Sequence, residues 1–142
     1  LEDVTAEQGP LELYPGSHLG PIFEHYDSQG VWTGAVREQD LAGVGPDGPI
    51  AVTGPAGTVS VHHSRTIHGS GQNQSSQGRP VLVLTYSAAD AIPYTAPAYP
   101  SSRYGVLVRG EEPGYAHHEE LYVPMPPDWS DGYTSIFAHQ EK

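Results

Sequence analysis

Seventeen glycines and fourteen prolines among 142 residues constrain this chain more than any other feature. Proline fixes φ and removes a backbone donor, and glycine costs helix interiors conformational entropy, so a helical bundle is excluded. Short extended segments between turns remain. Residues 11–14, 50–53, 58–62 and 80–87 have that character, each bounded by Gly or Pro. Thr58-Val59-Ser60-Val61 alternates polar and apolar, as a half-buried strand does. Val81-Leu82-Val83-Leu84 is apolar at every position and predicts a strand covered on both sides. The fold class expected is mainly β, an all-β chain with loops.

Residues 42–49, Ala-Gly-Val-Gly-Pro-Asp-Gly-Pro, predict a loop or hairpin excursion. Beyond Ala91 the pattern passes into Pro, Tyr and Gly, with one further strand candidate at Val106-Leu107-Val108. We expect residues 1–91 to form the core and residues 92–142 a loop-rich C-terminal tail packed on it. The tail's tyrosines and Trp129 supply apolar surface to bury. There is no internal repeat. The only methionine is Met125, so Leu1 is not expected to be a translation start and the chain is expected to be a piece of something longer.

The formal net charge is −11, and no basic stripe gathers the six Lys and Arg, which excludes nucleic acid and anionic membranes as expected partners. Without cysteine there is no disulfide framework, thiolate nucleophile or Cys-ligated metal, and a cytoplasmic location is expected. No apolar run approaches the roughly 20 residues of a membrane-spanning helix. Ser64 and Ser70 lack the setting of a hydrolase nucleophile.

The chemistry concentrates in His68-Gly69-Ser70-Gly71-Gln72-Asn73, followed by Arg79 eleven positions after His68. A histidine before a Gly-Ser-Gly turn and an arginine on the next extended segment can converge on one pocket. A non-haem Fe(II) site uses two histidines and a carboxylate on one face of the metal, and His68 suits one of those positions. Its plain alternative is a histidine hydrogen-bonded in a turn. Arg79 is costly to bury without an anion, and a guanidinium is the best partner for the far carboxylate of a chelating dicarboxylate. Its plain alternative is a solvent-facing loop residue. Ser70 can add a hydroxyl to the same carboxylate and Asn73 can fix the turn, although ordinary turn chemistry accounts for either alone.

His68-Gly-Ser-Gly-Gln-Asn with Arg79 resembles the distal histidine and 2-oxoglutarate arginine of the phytanoyl-CoA dioxygenase family. A second segment, Asp3 through Pro15-Gly16-Ser17-His18, resembles that family's strand-turn element, and the two lie in the family's order. The resemblance spans residues 1–90 and places this chain as the C-terminal portion only of such an enzyme. It implies a double-stranded β-helix, or jelly-roll, cupin-like fold, here incomplete at the N-terminus. It also implies a dioxygenase that uses Fe(II), 2-oxoglutarate and O2, decarboxylates 2-oxoglutarate to succinate and hydroxylates a small organic molecule. Carried over, His68 is a metal ligand and Arg79 and Ser70 bind 2-oxoglutarate, while His18 organises a loop near the pocket rim.

The chain departs from the family pattern in lacking the His-x-Asp pair that precedes Pro-Gly-Ser-His. His25-Tyr26-Asp27 has the spelling but follows that element instead of preceding it. His62 and His63 should point to opposite faces of a strand, and His117-His118-Glu119-Glu120 reads as a solvated charge run. Three readings follow. The first is a 2-oxoglutarate-dependent dioxygenase whose fragment here lacks two iron ligands. The second is a non-catalytic jelly-roll binding or structural module. The third, more distant, is a cupin-like metal enzyme using His25, Asp27 and His68.

Overall fold

The computed structural model describes residues 1–119, 122–130 and 132. They divide between two compact units, one built from residues 1–22 and 38–83, the other from residues 23–37 and the described residues from 84 onward.

The first unit is organised by three short strands, β1 (Leu11–Leu13), β2 (Ile50–Val52) and β3 (His68–Ser70). They form one antiparallel sheet in the order β2-β1-β3. Leu11 pairs with Val52 and Ser70, and Leu13 with Ile50 and His68. Leu11, Leu13, Ile50, Val52, His68 and Ser70 therefore share one face, since directly opposed and alternate residues project to the same side. Punctuation keeps the strands short. Gly9 enters β1 with φ +61, and Pro15, which has no amide donor, follows its far end. A separate, isolated antiparallel bridge pairs Val4 with Gly54.

Single 3-10 turns fill the connections, at Ala6–Gln8, Ser17–Leu19 and Glu38–Leu41. Loop 42–49 closes through Gly48 N–H donating to Gly45 O at 2.7 Å.

The expectation of a mainly β jelly roll is corrected here. The sheet is open and uncurled, and most of the described chain is loop. Two of the predicted strands occur, within residues 11–14 and 50–53. Residues 58–62, 80–87 and 106–108 form none. The segment expected to be covered on both faces is exposed, with Leu82 at 78% and Val83 at 76%, and Val61 stands at 93%. The physical reason is that β propensity needs a partner ladder and a covered face before it becomes a strand. Among the described residues no Ala, Val, Ile, Leu, Met, Phe, Tyr or Trp is buried, so no apolar core draws the sheet into closure.

The second unit is joined by hydrogen bonds and aromatic contact between segments distant in sequence. Trp32 and Trp129 meet edge to face with ring centroids 5.0 Å apart, and Tyr26 OH donates to Met125 O at 2.9 Å. The Ser130 amide and hydroxyl hold the Asp128 carboxyl below its usual range. Tyr94 and Tyr115 are exposed. No helix among the described residues is long and apolar enough to cross a membrane.

Candidate functional site

Strand β3 sets the site. His68 and Ser70 flank Gly69, and the two-residue repeat of a strand turns both side chains to one face. The Pro15-Gly16-Ser17-His18 turn locks that strand in place. The Ser17 hydroxyl donates to Tyr14 O at 2.7 Å and accepts from Ile67 N–H at 2.8 Å, while Tyr14 N–H donates to Ile67 O at 3.0 Å. One hydroxyl thus joins the end of β1 to the residue before His68.

After Ser70 the chain makes an excursion over residues 71–78 and returns at Arg79. Asn73 organises it. Its amide donates to Gln77 O at 2.8 Å, and its carbonyl accepts from the Ser75 amide and hydroxyl, each at 2.8 Å. The return brings Arg79 Nη2 to Ser70 Oγ at 3.1 Å. Arg79 is half-buried and Ser70 exposed. A guanidinium has five N–H donors and this contact uses one, so the others can address a carboxylate alongside the Ser70 proton.

His68 has a defined partner. Its Nδ1 lies 2.6 Å from Thr66 O, and a donated Nδ1–H there leaves Nε2 as the acceptor and coordinating nitrogen. The His62 ring stands 5.3 Å from the His68 ring. The His18 ring lies 5.7 Å from the His63 ring, next to the Ser17 hydroxyl that joins β1 to β3.

The alternative ligand pair has a local explanation. Asp27 Oδ1 accepts the Gln29 and Val31 amides, both at 2.8 Å, and His25 O accepts the Thr33 amide at 2.7 Å. Residues 25–33 form a turn built on that carboxylate. In the His117-His118-Glu119-Glu120 run, Glu120 lies outside the described residues. Among the described residues no group of three or more His, Cys, Asp or Glu is placed to hold a metal ion. The expectation of metal binding by this chain is corrected accordingly. The donor set fits a carboxylate, and it does not fit a three-ligand iron centre.

Two further residues also shape the site. Ser17 lies inside a recognised motif, but its role emerges only from its bond to Ile67. Gln8 is 3% exposed and hydrogen-bonds Gly78, the residue before Arg79. The Thr5-x-x-Gln8 spacing of a capping box is the sequence signal that could have found it.

One imidazole, one hydroxyl and one guanidinium thus stand on and beside β3, with the last two joined by a hydrogen bond. The chain belongs to the phytanoyl-CoA dioxygenase (PhyH) family, whose match covers residues 1–81. It is 31% identical over 142 residues to the probable alpha-ketoglutarate-dependent hypophosphite dioxygenase of Stutzerimonas stutzeri, covering 99% of this chain and 50% of that protein. It is 37% identical over 107 residues to the L-proline trans-4-hydroxylase of Streptomyces griseoviridis, covering 66% of this chain and 40% of that one. The peroxisomal phytanoyl-CoA dioxygenase of Rattus norvegicus is 28% identical over 93 residues, covering 63% and 27%. The chain therefore spans half or less of the length of these relatives. No solved structure matches it.

These matches correct the extent of the resemblance. The family relationship lies on the N-terminal 81 residues of this chain and not on a C-terminal portion. Ancestry is that of an oxygenase.

Proposed function

We propose that these 142 residues form a non-catalytic binding segment of oxygenase ancestry, with Arg79 and Ser70 as the clamp for the far carboxylate of 2-oxoglutarate. The hydrogen bond from Arg79 Nη2 to Ser70 Oγ carries this reading, because it joins the two anion-binding side chains across the 71–78 excursion. The guanidinium supplies charge and paired donors, and the hydroxyl sets its orientation. Turnover is not expected of these residues alone, since His68 is a single imidazole and a facial iron site needs three protein ligands.

Family membership favours a second reading, in which residues beyond these 142 complete the site. His68 would then supply one metal ligand through Nε2. Iron, when bound, would supply O2 activation for hydroxylation of a small organic substrate, with 2-oxoglutarate decarboxylated to succinate. The relatives are named for hypophosphite, L-proline and phytanoyl-CoA, so the resemblance carries the co-substrate and leaves the substrate open. The absence of cysteine supports a cytoplasmic setting.

Calorimetric titration with 2-oxoglutarate tests the first reading, paired with an assay for succinate in the presence of Fe(II) and ascorbate. Binding without succinate is expected. Loss of a charged hydrogen-bonding partner is worth about 1.5–3 kcal/mol, so Arg79→Ala should weaken binding by roughly ten- to a hundredfold. Succinate formed by the 142-residue chain would overturn the non-catalytic reading.

A further inference from the structure

Gln8 is one of two buried polar residues among the described residues, 3% exposed, with Thr66 at 8%. A buried amide must find partners, and these are specific. Its Oε1 accepts the Thr5 amide at 2.7 Å, tying the side chain to the start of its own turn. Its Nε2 donates to Gly78 O at 3.2 Å, across 70 positions of sequence. Gly78 is the last residue of the excursion and immediately precedes Arg79.

The neighbours of Gln8 grip the same excursion. Glu7 O accepts the Gln74 amide at 2.8 Å. Gly9 has φ +61, and a Cβ built there would stand 2.3 Å from Gly71 O and 3.1 Å from the Asn73 amide nitrogen. Two independent constraints, a left-handed backbone and a backbone-to-backbone approach, therefore require glycine. The turn Glu7-Gln8-Gly9 touches the excursion near its start at Gly71, in its middle at Gln74 and at its end at Gly78.

We infer that Gln8 is a positioning residue for Arg79: its amide anchors Gly78, and Gly9 lets the excursion seat close enough for that bond to form. The inference rests on the proposed carboxylate site for its purpose, although its geometry stands apart from any ligand. Ser70 is held by β3, whereas Arg79 follows a loop of turns. Without an anchor at Gly78 the guanidinium has no fixed distance from the Ser70 hydroxyl.

The test uses Gln8→Met, which keeps length and removes both hydrogen bonds, and Gly9→Ala, which pushes the excursion away. Amide exchange and 2-oxoglutarate affinity are measured on the full chain. In both variants the Gln74 amide should exchange about tenfold faster, the change expected from losing roughly 1.4 kcal/mol of buried hydrogen bonding, while the β2 amides stay protected. 2-Oxoglutarate affinity should fall about tenfold in the wild-type background and remain unchanged when Gln8→Met is added to Arg79→Ala. Unchanged Gln74 exchange, loss of β2 protection, or equal affinity losses in both backgrounds would overturn the inference. A wild-type chain that fails to bind 2-oxoglutarate would remove the carboxylate reading. The Gln74 and β2 exchange rates would then decide the positioning role by themselves.

Discussion

Single side chains, more than any core, hold the first unit in register. Ser17 is the clearest case, because its hydroxyl satisfies both a carbonyl at the end of β1 and an amide at the start of β3. Removing it takes the acceptor from the partly buried Ile67 amide and leaves the Tyr14 carbonyl with the Ser17 amide alone. Ser17→Ala should destabilise the chain by about 1–2 kcal/mol, read as a lower urea midpoint. Ser17→Thr, which restores the hydroxyl, should recover most of that loss. At this scale the sequence was informative about chemistry. His68, Ser70 and Arg79 stand out because a histidine, a hydroxyl and a guanidinium around a Gly-rich turn have few shared uses. Gln8 did not stand out, since its importance comes from a carbonyl 70 positions away.

Elements formed where punctuation and a partner coincided. Residues 11–13 and 50–52 are strands because each found the other across an antiparallel register, and His68–Ser70 joined through Tyr14 and Ile67. Residues 80–87 have stronger β propensity than any of these three, yet they pair with nothing in the observed sheet. Propensity describes a fit to a half-buried pleated surface, and that surface is lacking here. The exposure of Val83, 76%, leads to a direct check. Val83→Thr should change stability by no more than about 0.5 kcal/mol in chemical denaturation, as for ordinary surface positions. A cost near 2 kcal/mol would show that the segment is covered in solution.

At the scale of the whole chain, the missing apolar interior dominates. With no Ala, Val, Ile, Leu, Met, Phe, Tyr or Trp buried among the described residues, unfolding exposes little new surface. The urea dependence of stability scales with that surface, so a shallow transition is expected, below about 1 kcal/mol per molar urea. Contiguous exposed apolar residues at 81–84 should also bind a hydrophobic dye such as ANS in the native buffer. A steep cooperative transition without dye binding would count against the open architecture.

The sequence alone determined the exclusion of a helical bundle, the acidic balance, the lack of thiol chemistry and the family, because composition and short motifs act locally and need no neighbours. It did not determine closure. A jelly roll was a reasonable inference from the family motifs, but curling a sheet requires long-range partners and a buried face, and neither is a property of any one segment. Tertiary structure alone decided that Ser70 and Arg79 meet at 3.1 Å, that Asp27 is occupied by turn amides, and that no three metal-binding side chains converge among the described residues. Each of those outcomes depends on where distant backbone groups come to rest. Residue spelling constrains that placement only weakly.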